Sequence, residues 1–245
     1  MPIPRVHVDV PLAAGARVEL PPAAARHVQV LRLQPGDALT LFDGRGGEWD
    51  ARVAEIGRQR VCVELGAHRP VERELRRAVT LALGMPANER MDALVEKAAE
   101  LGAAAVQPLV AQRSVLRLAG ERAERRCAHW QAVAVAACEQ CGRNRVPAVA
   151  PVRELGDWLR ALPAMSPDEA RLLLSVAPDA IALPCAATGA RTLTLLSGPE
   201  GGLDPDEERA ARERGFVPVT LGARVLRADT APLAALAWLA LQDLA

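Results

Sequence analysis

Residues 195 to 203 read LLSGPEGGL. An apolar run that breaks into Gly198, Pro199, Glu200, Gly201 and Gly202 is the pattern of a strand that delivers bare backbone to a ligand. A phosphate cradle needs a local positive field, and the Walker form adds Gly-Lys-Ser/Thr; here Glu200 sits mid-loop and no lysine follows. The GxGxxG spacing of a dinucleotide site is missing too. A ligand that is cationic, or rich in hydroxyls and amines, suits this loop better. A plainer reading is that the glycines only turn the chain into a helix, with Asp204 as N-cap, Pro205 at N1 and Glu207 at N3. That explains residues 204 to 208 but requires none of the upstream glycines.

A second loop, TLGARVLRADTAPL (220–233), follows the apolar stretch VPVTL and precedes an apolar C-terminal helix. Both loops thus fall at the carboxyl ends of strands, where open α/β sheets bind ligands. Arg224 and Arg227 flank Val225 and Leu226, a pattern fit to hold an RNA phosphate or an anionic base. The plain alternative is a solvated turn in which Asp229 or Thr230 caps the last helix. S-adenosylmethionine fits the chemistry of the pair of loops: a sulfonium, an α-amino group and a ribose diol.

These loops need a sheet to carry them. Residues 77 to 245 alternate short apolar strands (VTLAL, AAVQPLV, RLLLSV, TLTLLS, VPVTL) with helices. The helices are NERMDALVEKAAELG, a long one from Ala119 to Cys141 closed by Gly142, DPDEERAARERG and DTAPLAALAWLALQDLA. Such alternation predicts an α/β fold with a parallel sheet. Residues 1 to 72 instead show period-two strands (RVHVDV, DALTLF, EWDARVAEI, RVCVEL) around one short helix, AARHVQVLRL, which predicts a small β-barrel. The expected domains are therefore 1–72 and 73–245, with the boundary in PVERELRR.

Composition narrows the function. Net charge is zero, but residues 113 to 145 hold seven arginines against three glutamates, a local excess of four positives. Two Phe, four Trp and no Tyr make arginine and phosphate contacts the expected means of meeting RNA, rather than base stacking on aromatics. Five cysteines and a polar N-terminus lead us to expect reduced thiols in the cytoplasm, and no run is long enough to span a membrane. Cys138 and Cys141 form a lone CxxC with no second pair at metal spacing, so no metal is expected. Cys138 is expected to pack inward, and Arg143, Asn144 and Arg145 to project as a cationic loop.

Taken together, LLSGPEGGLDPDE and VTLGARVLRADTAPLAAL resemble the 16S ribosomal RNA uracil-N3 methyltransferases, of the knotted SPOUT class. The stretches RHVQVLRLQPGDALTLFDGRGGEWDARV, ERMDALVEKAAELGAAAVQPLVAQRS and AVAVAACEQCGRNRVPAV resemble further motifs of that family, in its order. The sequence departs from it at Ala228-Asp229, where Thr-Glu is usual, and at Ala87, where a lysine is common. The resemblance implies a PUA-like barrel, a C-terminal trefoil knot, a homodimer and bound S-adenosylmethionine. It implies methyl transfer to N3 of a decoding-region uridine of 16S ribosomal RNA on the small subunit.

The expected cofactor site draws on three strand ends. Leu174 and Val176 come from the first, Ser197, Gly198, Glu200, Gly201 and Gly202 from the second. Leu221, Gly222, Val225, Leu226 and Thr230 come from the third. Arg5, His27, Arg32, Arg90, Arg113, Arg143 and Arg145 are the expected RNA contacts. N3 of uridine carries an imide proton, so the reaction must remove it and stabilise charge on the flanking carbonyls. Arg224, Arg227 and Arg143 are candidates for the second task; Glu200, Asp229 and Glu139 are candidates for the first. A ribose 2′-O or transfer-RNA methyltransferase of the same class shares the cofactor loops, and an RNA-binding assembly protein shares the basic segment; both remain open from sequence.

Overall fold

The computed structural model describes residues 3–58 and 60–243, except the side chains of residues 88 and 89. The last two residues of the expected C-terminal helix, Leu244 and Ala245, lie outside the described residues. Two compact units emerge: Met1–Glu74 together with Val135–Val146, and Leu75–Ala134 together with Pro147–Ala245.

The first unit contains β1 (Arg5–His7), β2 (Arg17–Glu19), α1 (Pro22–Val30), β3 (Ala38–Phe42), β4 (Glu48–Ile56) and β5 (Val61–Arg69). They form a five-stranded sheet in the order β1-β3-β4-β5-β2, antiparallel except for β1 beside β3. The period-two pattern turns Leu39, Leu41, Val53, Val61, Val63 and Leu65 inward, where Ala24, Ala25 and Val28 of α1 pack on them. Burying each large aliphatic here contributes about 1.5–3 kcal/mol. Strand β2 was not foreseen; three residues are too few to show a period.

The second unit opens with β6 (Ala78–Gly84), α2 (Asn88–Glu100), β7 (Ala105–Val110) and α3 (Gly120–Cys141), whose last turns belong to the first unit. There follow β8 (Ala148–Val149), β9 (Arg153–Glu154), α4 (Leu155–Ala161), β10 (Glu169–Leu174), β11 (Ile181–Ala182) and α5 (Leu183–Ala186). The chain ends with β12 (Thr192–Ser197), α6 (Pro205–Glu213), β13 (Phe216–Thr220) and α7 (Thr230–Gln242). All eight strands pair in parallel, in the order β11-β13-β10-β12-β6-β7-β8, with β9 also beside β7. Their near-continuous apolar runs suit strands buried on both faces.

Helix α4 escaped sequence reading because seven residues hold barely two turns, yet its Leu155, Trp158 and Leu159 join Leu173, Leu196, Ala211 and Phe216 in one core. Helix α6 has the expected capping box: Asp204 accepts from Asp206 N–H, while Glu207 accepts from Asp204 N–H. Helix α2 stops at Gly102 as expected, with φ at +94° and no room for a side chain against Leu75. The neighbouring order β13-β10-β12-β6 has one consequence for function. It brings the carboxyl ends of three strands together, and with them the loops that begin at Ser175, Gly198 and Leu221.

Candidate active site

Those three loops enclose a cleft of about 710 Å³ in the second unit, within the roughly 300–1,000 Å³ of small-molecule sites. Its walls are residues 173–177, 197–203, 219–221 and 224–228, joined by Arg90, Arg113 and Glu208.

The 198–203 loop is held by bonds within itself and to its neighbours. Gly202 N–H donates to Pro199 C=O at 2.8 Å, and Gly202 sits at φ +70°, where glycine is favoured. A Cβ at Gly198 would lie 2.8 Å from Leu203 N, so this glycine lets the loop fold back on itself. Arg113 donates to the carbonyls of Gly201 (3.0 Å) and Leu203 (3.2 Å), pinning the loop to the segment after β7. Glu207 adds a second tie, accepting from Gln112 N–H at 2.8 Å. Arg113, expected at the RNA, is thus a brace for the loop as well as part of the cleft.

Glu200 is also committed. One oxygen accepts from Ala87 N–H at 3.1 Å and from Arg90 at 3.3 Å, so the carboxylate sits against the start of α2. That orientation favours the negative charge. The odd carboxylate in the glycine loop therefore has a neighbour of its own within the protein.

The 221–228 loop contrasts with it. Arg224 and Arg227 line the cleft and are exposed, and among the described residues neither guanidinium makes an ion pair or hydrogen bond. Val225 is 80% exposed and Val176, across the cleft, 73%. Exposed valines facing a cavity are surface prepared for an apolar ring. Leu174, Leu221 and Leu226 complete this apolar lining, and Ser197 marks the base of the glycine loop. Gly222 is at φ +115°, its N–H donating to Thr220 Oγ1 at 3.3 Å.

Asp229 and Thr230 lie outside this cleft. With Arg90, Leu94, Lys97, Leu233 and Ala237 they border a separate groove of about 430 Å³. Asp229 is the N-cap of α7 but makes no capping bond; Arg227 C=O closes that turn instead, accepting from Thr230 and Ala231 N–H. The expected side-chain cap is absent because Asp229 adopts helical backbone angles (φ −84°, ψ −30°) rather than the extended ones of a capping residue; its Oδ1 accepts from Thr230 Oγ1 at 3.4 Å instead.

The expected projecting loop at 143–145 is corrected. Arg143 is 3% and Asn144 0% exposed; only Arg145 projects, and it pairs with Glu72 at 3.2 Å. Arg143 is held bidentately by Glu74, and Asn144 donates to Glu48 (3.2 Å) and Val71 C=O (2.6 Å). Arg5 is drawn into the same network, to Glu48 at 2.7 Å and Asn144 at 2.6 Å. Each buried charge must be matched, and the carboxylates of β4 and of residues 72–74 supply the match. Burial raises the Glu48 carboxyl, but hydrogen bonds from Arg73, Arg5 and Asn144 outweigh it and leave the pKa below the ordinary 4.5.

Glu139 likewise serves the first unit, accepting from His7 N–H (2.9 Å) and pairing with His27 (3.1 Å). Arg32, exposed, ends α1 in a left-handed conformation at φ +57°. A hydrogen bond with Cys141, then burial, hold the Cys138 thiol far up in its neutral form. Cys138 packs inward, as expected. Among the described residues no three His, Cys, Asp or Glu side chains are grouped to hold a metal, and no helix is long and apolar enough to cross a membrane.

One pairing in the cleft went unread in the sequence, although Ser175 lies in the strand-end segment expected to form a side of the site. Ser175 donates to Glu208 at 2.9 Å and accepts from Ala177 N–H at 3.1 Å. Neither lies in a glycine loop, and nothing in local spacing links positions 33 apart.

Comparison with known proteins agrees with this geometry. Residues 73–240 match the RNA methyltransferase domain family, and residues 20–66 match the RNA methyltransferase PUA domain. A ribosomal RNA small subunit methyltransferase E of Synechocystis is 34% identical over 91% of this chain and 72% of its own length. One from Mycobacterium tuberculosis is 34% identical over 84% and 79%. The crystal structure of a ribosomal RNA small subunit methyltransferase E from Neisseria gonorrhoeae, bound to S-adenosyl methionine, superposes with a TM-score of 0.90 at 38% identity, covering 96% of each chain. By these two family matches and relatives of 34–38% identity over most of the chain, this chain belongs to the RNA methyltransferase family of ribosomal RNA small subunit methyltransferase E.

Proposed function

We propose that the protein transfers a methyl group from S-adenosylmethionine to N3 of a uridine in the decoding region of 16S ribosomal RNA, on the small subunit. The observation that carries this is the cleft itself: bare glycine backbone, exposed Val176 and Val225, and two arginines without partners among the described residues, all at adjoining strand ends. The residues fit the cofactor. Its adenine suits the slot of Leu174, Val176, Leu221, Val225 and Leu226, and its polar groups suit the backbone of Gly198, Gly201 and Gly202. When bound it supplies a methyl on a sulfonium.

Arg224 and Arg227 then act on the RNA side. As N3 gives its proton to solvent water, charge spreads to the two flanking carbonyl oxygens, and unmatched guanidinium groups stabilise it. Holding N3 in line with the methyl supplies much of the remaining rate. Because N3 lies on the Watson–Crick edge, the uridine must be unpaired or extruded. Glu200 acts as a positioning residue, through Ala87 and Arg90. His27, Arg32 and Arg145 remain candidates for backbone contacts with the RNA. A homodimer in the cytoplasm, with the C-terminal trefoil knot and the domains 1–72 and 73–245, belongs to the same reading. The groove beside Leu233 and Ala237 is its candidate interface.

The test is methyl transfer from labelled S-adenosylmethionine to small-subunit particles and to naked 16S RNA, followed by nucleoside mass analysis. The reading expects 3-methyluridine; label on ribose, or none on any RNA, would sink it.

A further inference from the structure

We infer that Glu208, held by Ser175, is the carboxylate with which this cleft takes hydrogen-bond donors of its cofactor, an inference that rests on the function proposed above. A cofactor with an ammonium and a ribose diol asks its site for an acceptor. The sequence offers Glu200, but its charge is already met: Oε1 accepts from Ala87 N–H and pairs with Arg90 at 3.3 Å. Glu208 is the other carboxylate lining the cleft.

Three observations aim it there. It lies on the first turn of α6, beside the positive end of the helix dipole. Ser175 orients it: Ala177 N–H donates to Ser175 Oγ, whose hydroxyl donates to Glu208 Oε1 at 2.9 Å. This chain fixes one oxygen and leaves the other for a ligand. The nearby arginines of α6 make their ion pairs elsewhere, Arg209 with Asp206 at 2.8 Å and Arg212 with Asp179 at 2.6 Å, although Arg212 is close enough to Glu208 to feel its charge. The cleft is therefore bipolar, with the exposed Arg224 and Arg227 on one wall and the Glu208 carboxylate, which pairs with no arginine among the described residues, on another. A zwitterionic ligand fits that division of charge.

Titration calorimetry on the intact protein tests this with two ligands. S-adenosylhomocysteine carries both the diol and the ammonium; 5′-methylthioadenosine keeps only the diol. We expect Glu208→Ala to weaken S-adenosylhomocysteine about tenfold or more, the loss of one charge-assisted hydrogen bond. Ser175→Ala should weaken it a few-fold, through lost orientation. Glu208→Gln, which keeps the shape, should weaken it too and guards against a folding defect. An equal loss for 5′-methylthioadenosine assigns Glu208 to the ribose diol; an unchanged affinity for it assigns Glu208 to the ammonium. Glu208→Ala and Glu208→Gln binding both ligands as the wild type does would overturn the inference. Wild-type protein binding neither ligand would instead overturn the reading on which it rests.

Discussion

Arg143 and Arg227 are the same residue in two opposite settings. Arg143 follows α3 and is 3% exposed, its guanidinium locked on Glu74 and its neighbours Asn144 and Arg5 meshed with Glu48. Arg227 precedes α7, exposed on the wall of the cleft, with Arg224 three residues before it. A guanidinium whose donors are already matched has little to offer a new anion, while an unmatched one can meet charge as it develops. Both loops are rich in arginine, and what separates them is where the carboxylates fall. Glu48, Glu72 and Glu74 are folded against the first loop; among the described residues no carboxylate pairs with Arg224 or Arg227 of the second, though Glu200 and Glu208 line the same cleft.

The largest effect that sharpens this contrast is on stability. Arg143→Ala strands Glu74 and is expected to destabilise the fold by about 3–5 kcal/mol in denaturant titration. A loss under about 0.5 kcal/mol would move Arg143 out of the structural class. Next, Arg227→Ala and Arg224→Ala should each slow single-turnover methyl transfer on the order of 10²-fold while leaving stability within about 0.5 kcal/mol. Smaller is Asp204→Ala, which removes half the capping box of α6 and should cost about 1 kcal/mol in thermal or denaturant unfolding.

Acid titration gives the smallest and most specific effect. Glu48 has a folded pKa below 4.5, so its contribution is complete above that pH and is lost as pH falls through the folded value. Stability followed from pH 6 downward should fall less steeply below about 4.5 in Glu48→Gln than in the wild type. Identical slopes would contradict the account of the buried network.

The sheet was legible because its apolar runs and glycine stops are local: VTLAL, TLTLLS and VPVTL each declare a buried strand, and Gly102 and Gly142 end their helices at positive φ. The cleft was legible because its two loops carry glycines and arginines that strand ends alone do not need. The partners of polar side chains were not legible. Glu200 reads as a ligand group until Ala87, 113 positions away, is seen to donate to it. Arg143 reads as a projecting cation until Glu74, 69 positions away, is seen beside it. Glu208 reads as one more acid on a charged helix until Ser175, 33 positions away, turns it into the cleft. Periodicity reports which face of an element is apolar, but which acid meets which arginine depends on long-range packing.

The most direct test is nucleoside mass analysis of small-subunit RNA after one turnover, comparing wild type, Arg143→Lys, Arg224→Ala and Arg227→Ala at saturating S-adenosylmethionine. The account predicts 3-methyluridine from the wild type, the same product at near wild-type rate from whatever Arg143→Lys protein remains folded, and a rate about a hundredfold lower from the two cleft variants. Equal rates from the cleft variants and the wild type, or a product other than 3-methyluridine, would contradict it.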